Sequence, residues 1–97
     1  MSRDEIQQIL SKYKLELQSK FGVLSISLFG SYARNEENSE SDIDIAVDME
    51  KADLFTMASL KNYLQELLGK KVDVIRIRKN MNTILKNRIE KDAIYVR

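Results

Sequence analysis

An apolar strand, an acidic loop and a second strand with paired aspartates follow one another between residues 28 and 47, and this order constrains the fold most strongly. In the second strand, apolar residues at positions 43, 45 and 47 alternate with Asp42, Asp44 and Ala46. Because successive side chains of a strand point to opposite faces, the two aspartates share one face, about 6.5–7 Å apart along the strand. The other face is predicted to pack on a core.

A first strand is predicted just before this stretch, ending at Phe29. Its apolar positions, which alternate with serines, are Leu24, Ile26 and Leu28. Gly30 and Ser31 follow directly: the glycine leaves the backbone open to close approach, and the serine offers an amide and a hydroxyl to phosphate oxygens. Arg34 is close enough in sequence to add a positive charge. Residues 35–41 are polar throughout and are predicted to form a solvated loop.

Helices are predicted before the first strand and after the second. The earlier helix begins with a capping box at Ser2 and Glu5 and continues to Phe21, where Gly22 can end it. The later helix begins at Asp53 as its N-cap and ends at Gly69. The apolar residues at helical spacing are Ile6, Ile9, Leu10, Tyr13 and Leu17 in the first helix and Leu54, Met57, Leu60, Leu64, Leu67 and Leu68 in the second.

Residues 72–77 form a predicted third strand, and Asp73 lies on an apolar face of it. An ionised carboxylate in such a setting requires a partner. An ion pair with Lys70, Lys71 or Arg76 is one solution and a bound cation is another, and the residues leave both open.

A last helix and a short edge strand complete the predicted elements. Asn80 or Asn82 can cap this helix, and residues 93–96 can add the strand. The apolar residues of the helix are Met81, Ile84, Leu85 and Ile89.

The predicted fold is α/β (α+β), a single domain over residues 1–97 in which helices flank a small mixed sheet in the order α-β-β-α-β-α, with a final short strand. A helical crossover favours parallel pairing of the second and third strands. Parallel pairing brings Asp42, Asp44 and Asp73 together near the N-terminal ends of those strands. An antiparallel first strand leaves the Gly-Ser pair at the same end.

Composition leaves carboxylates as the main chemical resource. The chain has no cysteine and no histidine, which excludes disulfides, thiolate metal sites and imidazole bases. Neighbouring carboxylates repel one another unless a cation lies between them, and Mg²⁺ or Mn²⁺ is the natural occupant of an all-oxygen site. A pair of such ions can position nucleotide phosphates for in-line displacement. Asp73, in the least polar setting, is the predicted general base because burial moves its pKa towards neutrality.

Length, apolar content and charge bear on location and partners. No apolar run approaches the roughly 20 residues of a membrane span, and the first residues lack the apolar core of a signal peptide, so a cytoplasmic protein is expected. The net charge is +1, but residues 70–97 carry 9 Lys or Arg against 3 Asp or Glu. This basic segment is either a solvated helix face or a surface for an anionic ligand or acidic partner.

Each motif has an ordinary structural explanation when it is taken alone. Paired aspartates on a strand usually form its wet face, a Gly-Ser pair after a strand is an ordinary turn, and Arg34 is usually a surface residue. Their convergence on one end of one sheet favours a functional site.

Three segments together resemble a known family: Gly30-Ser31-x-x-Arg34, Ser41-Asp42-Ile43-Asp44-Ile45 and Val72-Asp73-Val74. They resemble the nucleotidyltransferase fold of the DNA polymerase beta superfamily, and the match is closest to the stand-alone minimal nucleotidyltransferases. The resemblance covers nearly the whole chain. It departs at Asn35, where the family commonly has glycine. Asparagine tolerates a left-handed backbone, so the turn is expected to survive.

The resemblance implies roles for the predicted site residues. By this likeness Asp42 and Asp44 would hold two Mg²⁺ ions, with Mn²⁺ as an alternative, and Asp73 would be the third ligand and the base. Gly30 and Ser31 would hold the triphosphate of ATP.

The resemblance also implies a partner. Many minimal nucleotidyltransferases are paired with a small helical protein of the HEPN class in toxin–antitoxin systems, and in characterised pairs they neutralise a ribonuclease by transferring AMP to a tyrosine. The implied function is therefore metal-dependent transfer of AMP from ATP to a hydroxyl of a HEPN-type partner, within a hetero-oligomer. The acidic loop, with Glu36, Glu37 and Glu40, would repel phosphates and disfavours a nucleic-acid acceptor.

Two alternatives stay open at this point. One is a binding module that neutralises its partner by contact alone, and the other is a nucleotidyltransferase for small molecules of the antibiotic type. The sequence names neither the acceptor nor the preferred nucleotide.

Overall fold

A four-stranded mixed sheet is the centre of the fold. It is seen in a computed structural model, which describes residues 1–51, 53–77 and 81–96. Its strands lie in the order β3-β2-β1-β4, with β2 and β3 parallel and the other two pairs antiparallel. The predicted fold class and strand pairing are confirmed. In chain order the elements are α1 (Arg3–Lys12), α2 (Lys14–Phe21), β1 (Val23–Phe29), α3 (Gly30–Ala33), β2 (Ile43–Met49), α4 (Leu54–Leu68), β3 (Val72–Arg76), α5 (Thr83–Asp92) and β4 (Ile94–Tyr95).

The main core lies between one face of the sheet and the helices α1, α2 and α4. It contains the apolar residues of β2 that alternate with the aspartates, as the sequence predicts. Burial of these branched side chains is the main favourable contribution to folding. Its fully buried members include Ile6, Leu10, Leu17, Leu28, Ile43, Ile45, Val47, Leu60, Leu64 and Val72.

The start of β1 differs from the predicted alternation of buried and exposed side chains. Val23 pairs with Met49, but Ser25 pairs with Asp48, so the register shifts by one residue at Leu24. As a result Val23 is buried whereas Leu24 is 51% exposed. The prediction that Leu24 shares the core face with the later apolar residues of β1 is therefore wrong, because a β-bulge adds one residue to one strand and reverses the side-chain direction there.

The predicted first helix is two helices, with a break at Tyr13, whose backbone angles (φ −100°, ψ 8°) leave the helical range. Hydrogen bonds of helical spacing persist around it, from Tyr13 to the Ile9 carbonyl and from Leu17 to the Tyr13 carbonyl. The two pieces have different neighbours, since α1 contacts α4 and α2 contacts β1. Both pieces bury apolar side chains, Ile6 and Leu10 in α1 and Leu17 in α2.

The predicted helix caps are confirmed among the described residues: Ser2 with Glu5, Gly22, Asp53, Gly69 and Asn82. Asn80, the other candidate cap of the last helix, lies outside the described residues. Two predicted apolar stripes extend less far than expected. Leu54 is 89% exposed at the start of α4, and in α5 only Ile89 is buried.

The second face of the sheet is also covered in its middle. The crossovers β2-α4-β3 and β3-α5-β4 run in opposite directions across the sheet, so right-handed connections place α4 and α5 on opposite faces. The paired residues Ser27 and Ala46 on the second face are buried, and α5 contacts β1. Small residues here allow a helix to approach closely. The end of this face that carries Asp44 stays partly open.

No helix within the described residues is both long enough and apolar enough to cross a membrane.

A polar contact joins α2 to α4 at the edge of the core. The Tyr63 hydroxyl donates to Glu16 at 2.8 Å, Lys20 pairs with the same carboxylate at 3.0 Å, and the Phe21 and Tyr63 rings meet edge to face. Burial, followed by the hydrogen bond to Glu16, raises the pKa of Tyr63 to about 12. The phenol is therefore favoured over the phenolate in the folded state.

Replacing Tyr63 by phenylalanine removes this contact while keeping the ring. We expect the free energy of unfolding to fall by about 1 kcal/mol in urea denaturation, the usual contribution of one hydrogen bond. Tyr95→Phe, at an exposed position of the edge strand, is the matched control and should change little. Equal losses in the two variants would contradict the assignment.

The same contact predicts a pH dependence. Because the folded pKa lies above the ordinary 10.0, the stabilisation by Tyr63 is fully present below pH 10 and is lost as pH rises towards 12. Urea denaturation across this window should show a steeper decline for the wild type than for Tyr63→Phe. Parallel declines would show that Tyr63 does not titrate as described.

Candidate active site

The parallel pairing of β2 with β3 brings the predicted aspartates to one end of the sheet. Asp44 and Asp73 are direct cross-strand partners and share a face. Asp42 immediately precedes β2, and the hydrogen bond from Ile43 to the Lys71 carbonyl fixes the start of this ladder. Phe29, the last residue of β1, pairs with Asp44 from the other side. The predicted placement of all three aspartates, with the Gly-Ser pair beside them, is therefore confirmed.

The three carboxylates are electrostatically coupled through Asp44. Burial raises the pKa of Asp44, and the charges of Asp73 and then Asp42 raise it further, while Arg34 lowers it. Negative charge is thus concentrated where water is partly excluded.

Lys71, which the sequence suggests as a partner of Asp73, lies near Asp42 instead. Lys71 Nζ lies 3.9 Å from Asp42 Oδ2, a long contact between an exposed lysine and a half-buried aspartate. Among the described ion pairs none involves Asp73. The alternative that Asp73 is simply neutralised by a neighbouring lysine or arginine is therefore not supported by these residues.

The position of the Asp44 side chain requires a glycine at position 30. The Gly30 backbone is left-handed (φ +74°), and a Cβ added there would collide with the Asp44 carboxylate. The absence of a side chain therefore makes room for Asp44 itself, whether or not it also admits a phosphate. Ser31 follows in the first turn of α3 and is half-buried.

Arg34 ends α3 and is held by two carboxylates. Its Nε donates to Glu36 at 3.0 Å and its Nη1 donates to Asp92 at 2.6 Å. The hydrogen bonds to Glu36 and Asp92 raise the pKa of the guanidinium, which stays charged. Asn35 follows with φ +57°, the left-handed conformation predicted for it.

The loop of residues 35–41 is mostly exposed, as predicted, but Glu37 is half-buried and its Oε1 is buried without a hydrogen bond. The loop is tied down by Lys70, whose Nζ donates to the Ser39 carbonyl at 3.2 Å and lies 5.7 Å from the centre of the Tyr32 ring. The rim of the site is therefore partly ordered by its own contacts.

The donor chemistry of the site suits a hard divalent cation, since three mutually repelling carboxylates meet at one sheet end. No group of three acidic side chains in the part of the chain that the structure describes is clustered tightly enough to hold a metal ion by itself. Divalent-ion sites of phosphoryl-transfer enzymes are commonly completed by water and substrate phosphates. The residues present therefore fit such an ion as partial ligands.

Sequence reasoning missed two contributors, Asp92 and Lys70. Asp92 lies 58 residues after Arg34 in the chain, and its position in a basic helix makes it look like an ordinary surface carboxylate. For Lys70 the sequence indicates only a possible ion pair with Asp73. No local pattern reports either contact, because both depend on how distant elements pack.

Comparison with known proteins agrees with this geometry. A family model described as "Polymerase beta, Nucleotidyltransferase" matches residues 4–97. The protein adenylyltransferase MntA of Thermococcus cleftensis is 36% identical over 97 residues, covering 99% of this chain and 97% of the relative. A protein of Methanocaldococcus jannaschii, named as a candidate protein adenylyltransferase, is 48% identical over 93 residues, or 95% of each chain.

Solved structures show the same fold. A protein described as a candidate minimal nucleotidyltransferase aligns with a TM-score of 0.78 at 29% identity, covering 97% of this chain and 95% of that one. A toxin–antitoxin structure with AMP-PNP aligns at 0.74 and 24% identity, covering 90% and 72%. A Shewanella oneidensis complex of tri-AMPylated HEPN toxin with MNT antitoxin aligns at 0.67 and 24% identity, covering 94% and 71%.

Substitution of Gly30 by alanine tests the contact with Asp44. Gly69→Ala is the matched control, because Gly69 has a similar φ of +65° but nothing within 4 Å of an added Cβ. We expect the control to lose about 1–2 kcal/mol of unfolding free energy through backbone strain. Gly30→Ala should lose a further ~1–3 kcal/mol through overpacking. Equal losses, measured by urea denaturation, would show that Asp44 does not occupy that space.

Asp44→Asn is expected to stabilise the protein at neutral pH in the absence of divalent cations. Because the folded pKa of Asp44 lies above the ordinary 3.8, the native state binds this proton more tightly, and stability falls as pH rises through the folded pKa. The asparagine avoids that loss, and because Asp44 is only partly buried and solvent screens its charge, we expect a gain of less than about 1 kcal/mol in the unfolding free energy measured by urea denaturation. Asp48→Asn, at an exposed position on the same strand face, should be neutral. A less stable Asp44→Asn protein would contradict this account.

Proposed function

Because this chain belongs to the polymerase beta nucleotidyltransferase family, we propose that it transfers AMP from ATP to a tyrosine hydroxyl of a partner protein. The observation that carries the proposal is the direct pairing of Asp44 with Asp73, with Asp42 beside them and Gly30 against Asp44. The protein adenylyltransferase relative supports a protein acceptor, since it aligns over nearly its whole length. The AMP-PNP complex among the structural neighbours supports ATP as the donor.

Asp42, Asp44 and Asp73 are proposed to hold two Mg²⁺ ions, or Mn²⁺ in their place. Such ions, when bound, neutralise carboxylate and phosphate charge and position the phosphates for displacement. Burial is the main reason that the pKa of Asp44 is raised, and repulsion by Asp73 and Asp42 raises it further; this repulsion supports the assignment.

The reaction proposed for these residues is a single displacement at the α-phosphorus. Asp73 accepts the proton of the tyrosine hydroxyl, the tyrosine oxygen forms a bond to the α-phosphorus, and the bond from that phosphorus to the bridging oxygen breaks. Pyrophosphate leaves and AMP remains on the tyrosine. Asp73 suits the role of base because it faces the open end of the sheet beside Asp44.

Gly30, Ser31 and Arg34 are proposed to hold the triphosphate. Ser31 offers its amide and hydroxyl at the start of α3, and Arg34 supplies a positive charge near Asp44. A guanidinium is well suited to phosphate oxygens because its N–H groups lie in one plane.

The proposed acceptor is a small helical protein of the HEPN type, in a toxin–antitoxin pair and a hetero-oligomer. The neighbour in which a tri-AMPylated HEPN toxin is bound to an MNT antitoxin supports this partner. The exposed acidic residues Glu36 and Glu40 at the rim disfavour a nucleic-acid acceptor, because they would repel its phosphates.

Label transfer from α-labelled ATP to a co-expressed HEPN-type partner tests the proposal. We expect Mg²⁺-dependent labelling that chelation by EDTA abolishes and that a tyrosine-to-phenylalanine change at the acceptor removes. Asp42→Asn, Asp44→Asn and Asp73→Asn should each lower the rate at least about 100-fold, whereas Asp48→Asn should not.

The outcome also decides between transfer and neutralisation by contact. Partner neutralisation that survives loss of both Asp42 and Asp44, without label transfer by the wild type, would establish a contact-only module. Labelling of a small molecule but of no protein would favour the antibiotic-type reaction.

A further inference from the structure

The Arg34 guanidinium is clamped by carboxylates that come from opposite directions in the chain. Glu36 lies two residues later in the loop, whereas Asp92 is the last residue of α5. The contact with Asp92 is the shorter, at 2.6 Å against 3.0 Å. Its carboxylate is also the better protected, with 18% of the side chain exposed against 65% for Glu36. Because exposed ion pairs contribute little, Asp92 is the main anchor.

The clamp leaves part of the guanidinium available. Of its five N–H donors, one on Nε and one on Nη1 are used by the carboxylates, and Nη2 donates to no residue that the structure describes. The remaining donors lie in the same plane, so anchoring Nη1 also fixes the direction in which Nη2 donates. A guanidinium held in this way presents a fixed edge to a phosphate group.

The position of Arg34 relative to Asp44 explains why the guanidinium needs to be anchored. Arg34 lies close enough to influence Asp44 electrostatically, and Asp44 is part of a strongly negative cluster with Asp42 and Asp73. Without an anchor, a flexible arginine beside these carboxylates would be drawn onto them. It would then occupy the oxygen atoms proposed to bind metal ions and would no longer face the nucleotide.

We propose that Asp92 is a positioning residue for nucleotide binding: from the end of α5 it holds the Arg34 guanidinium away from the catalytic aspartates and directed towards the triphosphate. This inference rests on the proposed function. It adds that part of the nucleotide site is built by the helix that crosses the second face of the sheet, since α5 contacts both α3 and β1. Within the described part of the chain, the hydrogen bond and ion pair recorded for the Asp92 side chain are both with Arg34.

Binding of AMP-PNP with Mg²⁺, measured by calorimetry, tests the role directly, together with steady-state transfer to the partner. Asp92→Asn should weaken AMP-PNP binding about fivefold to twentyfold, because Asp92 acts through Arg34 and only part of the contribution of a hydrogen bond to a charged group reaches the nucleotide. It should raise KM for ATP correspondingly, with kcat within about threefold. Asp92→Glu should recover part of the affinity. Glu90→Gln, an exposed carboxylate two residues earlier on the same helix, is the matched control and should behave as the wild type.

A double-mutant cycle separates positioning from general support of the fold. If Asp92 acts through Arg34, Asp92→Asn should have little further effect on binding in an Arg34→Ala background. In ¹⁵N NMR of the wild type at low temperature, the Arg34 Nη1–H signal should exchange slowly with water, and it should exchange faster in Asp92→Asn.

The outcomes distinguish this inference from the proposed function. No AMP-PNP binding or transfer by the wild type would overturn both. Normal wild-type activity with Asp92→Asn equal to Glu90→Gln, additive effects in the cycle, or tighter nucleotide binding by Asp92→Asn would overturn the positioning role alone.

Discussion

Apolar burial on one face of the sheet holds mutually repelling carboxylates together on the other, and the rest of the site depends on this arrangement. Val72 and Val74 of β3 lie opposite Ile43 and Ile45 of β2 on the core face. A one-residue slip of β3 would turn those valines away from the core and Asp73 into it, at a large cost in free energy. The register that buries the branched side chains is therefore the register that places Asp73 beside Asp44.

The two faces of the sheet have different roles, and their side chains differ in size accordingly. The core face carries large branched residues against α1, α2 and α4, whereas the second face has the buried pair Ser27 and Ala46 in its middle. Small side chains let α5 cross this face and end beside Arg34, where Asp92 reaches it. The helix covers the middle of the face and leaves the end with Asp44 and Asp73 partly open to solvent.

Patterns of period two and 3.6 predicted most of this arrangement because they record which side chains must be buried. They gave the strands, the caps and the parallel pairing that gathers the aspartates. They could not show the bulge at Leu24, because an added residue looks like normal alternation until the partner strand is known. The break at Tyr13 arises from two different packing neighbours, and the contact of Asp92 with Arg34 joins elements 58 residues apart. Both follow from tertiary packing, which local sequence does not encode.

Gly30 and Asn35, at the two ends of α3, both have a left-handed backbone, and comparing them shows what the replacement of the family's glycine by Asn35 changes. Gly30 and Asn35 both have positive φ, at +74° and +57°. At Gly30 a side chain is excluded by the Asp44 carboxylate as well as by the backbone. At Asn35 the side chain is exposed, so only the backbone conformation is demanded, and asparagine is among the residues that adopt it most readily. The site therefore depends on glycine at position 30 through contact with the Asp44 carboxylate, whereas at position 35 the turn needs a left-handed residue and asparagine supplies it.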